Sequence, residues 1–203
     1  MKILNDDLLN AIKKGVEIKL DLGCGISPRK GFYSVDYLDI DGIDIQADLN
    51  EPLDLIPSFS IDYIYSRHVL EHIDKFIPLM REIHRIAKKG ATIELIVPHF
   101  SNVYGFSDPT HVRVFGLYSM SYFVSLENQP EVRKVPEFYT DTRFIVNSVE
   151  IDFYRNLSNL DMFFGALAYK LVNINMKTQN FYERRLTNFF HAWQIRWLME
   201  PVK

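Results

Sequence analysis

Leu20-Asp21-Leu22-Gly23-Cys24-Gly25, followed fifteen residues after Asp21 by Val35-Asp36, is the stretch that decides the fold. An apolar run from Val16 to Leu22 ends in two glycines one residue apart, and a second run, Phe32 to Val35, ends in an acid. The pattern reads as strand, glycine turn, strand, carboxylate, which is how an α/β sheet builds a nucleoside site at the carboxyl ends of its strands. Glycines without Cβ let the backbone turn sharply and let a ligand lie against it. The Asp36 carboxylate can accept two hydrogen bonds from a ribose diol.

Two nucleoside ligands compete for this pattern, a dinucleotide and S-adenosylmethionine. The dinucleotide fingerprint is G-x-G-x-x-G opening a full helix, with its acid about 20 residues further on. Here Pro28 stands where the third glycine belongs, and six residues, Ile26 to Gly31, separate Gly25 from Phe32. At about 1.5 Å per residue they make little more than one helical turn. That leaves no long helix to hold a pyrophosphate and favours a ligand without one.

Taken with Ala47-Asp48-Leu49, Ser66-Arg67-His68-Val69-Leu70-Glu71-His72 and the strand Ile93 to Val97, the pattern resembles the class I S-adenosylmethionine-dependent methyltransferases from about Lys19 to Phe115. The short, proline-containing segment after the glycines is similar to a type-11-like subgroup often found near cell-surface polysaccharide genes. The resemblance implies an α/β, Rossmann-like, doubly wound and mostly parallel seven-stranded sheet with an antiparallel last strand. It places that strand between strands five and six, and makes residues 155–188 a helical insertion, either a lid over the acceptor or a completion of the core. It implies S-adenosylmethionine as cofactor. The implied activity is methyl transfer to a small polar acceptor, an oxygen on a sugar or sugar-phosphate of a surface polysaccharide. A non-catalytic S-adenosylmethionine-binding module serving a partner protein, and a nicotinamide-dependent sugar oxidoreductase, are the alternatives.

The 203 residues favour one domain spanning 1–203, and the 47% hydrophobic content suits an ordinary globular core. A net charge of −3 lacks the basic footprint of bulk nucleic-acid binding. Cys24 is the single cysteine, so no intrachain disulfide forms. Met1 to Asp7 carry no apolar core of a signal peptide, and no apolar run reaches the roughly 20 residues a membrane span needs, so the cytoplasm is the expected compartment.

Along the chain, Asn5 or Asp6 caps a short helix ending at Gly15. Strands are expected at Val16–Leu22, Phe32–Val35, Ile43–Ala47, Ile61–Tyr65 and Ala91–Val97. The clearest helix runs from Asp74 to Lys89 and is closed by Gly90, with Phe76, Ile77, Met80, Ile83 and Ala87 on one face. Phe144–Tyr154 alternates as a sixth strand, Leu157–Ile174 and Phe181–Ala192 read as helices, and Trp193–Val202 as the last strand.

The candidate cofactor site comprises Asp21, Gly23, Cys24, Gly25, Asp36, Asp48, Leu49, Ser66 and His68. Asp36 is the ribose ligand. The resemblance places Asp21 near the methionine amino group, Asp48 on the adenine amino group and Leu49 against the ring; tying and capping turns are the other roles open to Asp21 and Asp48. His111 is the first candidate for general base, since imidazole titrates near neutrality. Asp108 orients it, and His99 is the second candidate; an Asx-Pro turn is the competing reading of Ser107 to Arg113. His68-Val69-Leu70-Glu71-His72 also fits H-x-x-E-H, but no metal is assigned, because the run follows a strand inside a nucleoside-binding pattern. His99, Asp108 and His111 are a second set able to hold a divalent ion. Arg29, Lys30, Arg67 and Arg113 lie on loops at the same edge and can grip an anionic acceptor. Tyr33 and Tyr104 are either ligand contacts or packing.

Overall fold

A computed structural model describes residues 1–154 and 158–203. Its strands are β1 (Lys2–Ile3), β2 (Lys19–Leu22), β3 (Tyr33–Asp36), β4 (Ile45–Gln46), β5 (Ile61–Arg67), β6 (Ala87–Pro98), β7 (Phe144–Phe153) and β8 (Ala192–Pro201). The helices are α1 (Asp7–Lys13), α2 (Phe76–Ile86), α3 (Asn159–Val172) and α4 (Met176–Arg185).

All eight strands form one sheet in the order β1-β4-β3-β2-β5-β6-β8-β7. The five from β4 to β6 are parallel, and β8 runs antiparallel between β6 and β7. The expected antiparallel last strand therefore lies where the resemblance placed it. The count differs by one: Lys2–Ile3 pairs antiparallel with β4, adding an eighth strand at the edge. Double winding is sparse, because β2 to β3, β3 to β4 and β4 to β5 are joined by loops and turns instead of helices.

The core follows from side-chain alternation on the central strands. Leu20, Leu22, Ile64, Ile93, Leu95 and Val97 are fully buried, as are Ile195 and Trp197 on β8. Helix α2 presents Leu79, Met80, Ile83 and Ile86 to that core. It ends at Ile86, not at Lys89: Ala87 turns extended and pairs with Ile61, and Gly90 at φ 78° sits within β6. Burying Ala87 beside Ile61 outcompetes the last helical turn. Arg85 ties the α2 end to the β4–β5 loop by donating to the carbonyls of Leu53 and Ile56 and pairing with Glu82 at 2.8 Å.

The segment between β7 and β8 is helical, and its expected start at Arg155, like Leu157, lies outside the described residues. The expected helix 181–192 is displaced toward the amino end. Asn175 makes a capping box with Thr178, so α4 starts at Met176 and stops at Arg185. Gln179 and Tyr182 of α4 are buried, whereas Leu160, Phe163, Phe164 and Leu171 of α3 are exposed. Asn173 joins this segment to edge strand β7, accepting from Ile151 N at 2.8 Å and donating to Ile151 O at 2.7 Å. Asn173→Ala removes both bonds and leaves a backbone pair unmatched, at a cost of about 1–3 kcal/mol. It should lower the melting temperature by several degrees and speed amide exchange at Ile151 in β7 while leaving β2 protected. Unchanged exchange at Ile151 would show that Asn173 does not hold the edge.

Candidate active site

The ends of β2, β3, β4 and β5 meet at one edge, where a cavity of about 400 Å³ opens. That volume lies within the range of small-molecule sites, roughly 300–1,000 Å³. Gly23 and Asp36 line one side, Asp48 and Leu49 a second, and His68, Val69, His72 and Thr110 a third.

The glycine turn is fixed by geometry that glycine alone satisfies. Gly23 has φ 71°, and a Cβ there would lie 2.3 Å from Val69 Cγ2. Gly25 has φ 58° but open space around it. Asp36 is buried and spends its carboxylate on the turn: Oδ2 accepts from Gly25 N at 2.7 Å and Oδ1 from Leu38 N at 3.1 Å. Lone pairs remain on both oxygens, so the group still fits a diol. Asp21 is also buried and accepts from Arg29 N at 2.9 Å, which ties the turn; burial raises its pKa above the ordinary carboxylate value. Asp48 accepts from Asn50 N at 2.8 Å as a turn cap while also lining the cavity. An open cavity bordered by Gly23 and by the carboxylates of Asp36 and Asp48 fits S-adenosylmethionine.

Asp21, Cys24, Gly25 and Ser66 are not among the residues that line the cavity. Ser66 is buried and donates to Leu22 O at 3.1 Å, joining β5 to β2. The Cys24 thiol donates to Gly25 O at 3.6 Å and is pushed up to about 12 by burial and by the charges of Asp21 and Asp36.

The histidines separate by environment. His99 is fully buried, with Nδ1 on Ser101 Oγ at 2.8 Å and Nε2 on Glu183 at 3.0 Å. Both nitrogens are engaged away from the cavity, so His99 is a strut between β6 and α4, not a second base. His68 stands at φ 55° after β5, its Nε2 on Gln194 Oε1 at 3.1 Å; Gln194 in turn donates to Asp152 at 3.3 Å. Residues 68–72 are not one helix: the chain makes a 3-10 turn at Leu70–His72, and His68 and His72 do not share a helical face. His72 instead meets His111, edge to face, with ring centroids 4.7 Å apart.

Within Ser107 to Arg113, Asp108 forms the Asx turn of the competing reading, and the segment packs beside that pair. Asp108 accepts from Thr110 N at 2.9 Å and Thr110 Oγ1 at 2.6 Å, and those bonds hold its pKa below the ordinary carboxylate value. His111 Nε2 lies 3.8 Å from Asp108 Oδ2, and His72 Nδ1 is 2.9 Å from Thr110 Oγ1. Val112 N donates to Glu71 O at 2.9 Å, stitching the loop to the 3-10 turn. Of the four cations, Arg29 stacks on Phe32 and Tyr65, and Arg113 donates to the carbonyls of Ile73 and Asp74. Lys30 and Arg67 stay exposed. Tyr104 is exposed against Tyr154, and Tyr33 packs on the core. Sequence reasoning missed the part of Gln194 and Asp152 behind His68 and that of His72 beside His111, because those contacts join segments far apart in the chain.

The fold is the α/β methyltransferase fold. The sequence matches the family described as Methyltransferase domain over residues 7–201, so the chain belongs to that family and is an S-adenosylmethionine-dependent methyltransferase. No curated protein matches it. Among solved structures it is similar to a SAM-dependent methyltransferase from Archaeoglobus fulgidus, with 18% identity, TM-score 0.52, and coverage of 96% of this chain and 91% of that one. It is also similar to the YcgJ protein from Bacillus subtilis, with 14% identity, TM-score 0.50, and 97% of both chains covered. These likenesses concern the fold.

Two outcomes test the turn. Gly23→Ala should cost about 2–4 kcal/mol from the left-handed backbone and the overlap with Val69, against about 1 kcal/mol for Gly25→Ala. Val69→Ala should recover part of the Gly23→Ala loss in a double-mutant thermal-melt cycle; additivity would rule out the steric link. The native Cys24 thiol should react with iodoacetamide at pH 8 at least about tenfold slower than the unfolded chain, since the thiolate is the nucleophile. The rate should rise toward pH 12 and on Asp21→Asn. Equal native and unfolded rates, read by mass spectrometry, would contradict the raised pKa.

Proposed function

We propose that this methyltransferase acts on a hydroxyl of a small, anionic polar acceptor, of which a sugar or sugar-phosphate is the class that fits best. Three features support the reading. Gly23 and the carboxylates of Asp36 and Asp48 line the cavity, His72 with Thr110 lines it beside His111, and Arg67 at the end of β5 and Lys30 in the turn before β3 are exposed. The observation that carries it is the histidine pair beside the cofactor cavity.

When bound, S-adenosylmethionine supplies an already activated methyl group on a sulfonium. What the chain must add is alignment, exclusion of water and removal of the hydroxyl proton. Gly23, Gly25 and Asp36 form the cofactor floor, with Asp48 and Leu49 beside the base. The hydroxyl proton would leave at the His72–His111 edge as the acceptor oxygen takes the methyl group that bound S-adenosylmethionine would supply. Asp108 favours positive charge there, and Lys30 or Arg67 engages an acceptor phosphate or carboxylate.

His111→Ala should lower turnover by about 10²–10⁴, while S-adenosylhomocysteine affinity, measured by calorimetry, changes less than about threefold. Asp36→Ala should lose that affinity. The test is an acceptor screen of neutral against phosphorylated or uronic sugars. Equal loss of affinity and turnover in His111→Ala would remove the proton role, and preference for neutral acceptors would remove the anionic class.

A further inference from the structure

Glu71 is the one carboxylate at this site left without a hydrogen-bond partner. Its residue is 1% exposed, and both side-chain oxygens are buried with no hydrogen bond. Every other buried acid described above has a use: Asp21 and Asp36 each hold a backbone N–H. An unmatched buried carboxylate is expensive unless it is paired or coordinates a metal. The nearest cation-forming group is His68 Nδ1, 3.5 Å from Glu71 Oε1 and outside hydrogen-bonding geometry.

His72 and His111 converge on the same point. Ligand atoms of Glu71, His72 and His111 all lie within 4.8 Å of one another, the one such group of three among the described residues. The bond behind His72 has the form that a metal ligand needs. Thr110 donates its hydroxyl to Asp108, so His72 Nδ1–H donates to Thr110 Oγ1, and the His72 Nε2 lone pair is left free. His111 has the Asp108 carboxylate behind its ring, 3.8 Å away. Metal-bound imidazoles characteristically direct their other nitrogen to such a partner.

From this geometry we propose that Glu71, His72 and His111 bind a divalent cation of the imidazole-preferring class, with Zn²⁺ as the fitting ion. Two imidazoles and one carboxylate are a known three-ligand set for zinc that leaves a fourth position open. Tetrahedral bonds of about 2.1 Å put ligand atoms about 3.4 Å apart, so the three side chains draw together by roughly an ångström on binding. His72 borders the cofactor cavity, so the open position lies near it. The ion pins the Asp108–Arg113 loop to the Leu70–His72 turn. The ligand set is neither His68 with His72, as H-x-x-E-H spacing suggests, nor one containing His99, whose nitrogens are occupied.

Binding is measured without any acceptor, so the site stands apart from the proposed substrate; only its consequence for turnover rests on that reading. Protein freed of metal by chelator and gel filtration is titrated with Co²⁺ and then Zn²⁺. Wild type should take up one equivalent, show the intense visible absorption of tetrahedral Co²⁺, lose it to Zn²⁺, and melt several degrees higher with Zn²⁺ than in EDTA. Glu71→Gln and His111→Asn should each weaken binding at least tenfold and abolish the shift in melting temperature, while the exposed His191→Ala control behaves as wild type. Should Glu71→Gln fail to fold, His111→Asn decides. No stoichiometric binding, or binding that survives in His111→Asn, overturns the proposal. Unchanged turnover in chelated wild type leaves the proton with imidazole without touching the binding result.

Discussion

A single hydrogen bond, Gly25 N–H to Asp36 Oδ2 at 2.7 Å, closes the β2–β3 turn and sets the shape of the site. Gly23 N–H to Val35 O at 2.7 Å lies beside it, so the turn is held at both glycines. With the backbone pinned there, Ile26 to Gly31 stays a tight loop and no helix forms. The same constraint pushes Gly23 against Val69 and thereby couples the cofactor cradle to the turn after β5. Cradle and histidine wall are thus parts of one packed unit. A change at Gly23 is felt at His68 and His72 without crossing solvent.

The antiparallel strand β8 supplies the second coupling. Entering the sheet beside β6 in reverse, it brings its first residues to the edge where the parallel strands end. Asn102 donates to Trp193 O at 2.9 Å, and Gln194 reaches His68. An all-parallel strand at that position would present its last residues there and carry Ala192 to Gln194 to the opposite edge. Residues 91 and 126 positions apart therefore meet because of strand polarity.

The parts legible in the sequence are those set by local pattern. Alternation fixed β5, β7 and β8 to within a few residues, and the glycine pair followed by Asp36 marked the cavity floor. Local pattern failed where tertiary packing competed. Ala87 to Lys89 look helical by periodicity but belong to β6, where Ala87 pairs with Ile61 of β5 and gains a buried neighbour. Lys2–Ile3 is too short to signal a strand, and exists because β4 leaves an edge open. The histidines were the least legible. His99 and His111 flank the same loop, yet one is locked between Ser101 and Glu183 and the other faces His72. Nothing in their spacing encodes that difference.

Residue type names a chemistry, but the state of its partners decides whether the chemistry is available. His99 has the right type and place in sequence, and its two filled nitrogens make it a strut. Glu71 sits in a stretch that reads as local structure, and its two empty oxygens make it reactive toward a cation. The neighbouring network sharpens the contrast. Asp152 accepts from the Gln194 amide, whose oxygen faces His68 Nε2, and His68 Nδ1 lies 3.5 Å from Glu71 Oε1 with no hydrogen bond between them. Ligand atoms of His72 and His111 come within 4.8 Å of the same carboxylate. At this corner Glu71 keeps both oxygens buried without a hydrogen bond, whereas Asp21 and Asp36 in the neighbouring turn are satisfied. Such a corner is stable when positive charge enters it.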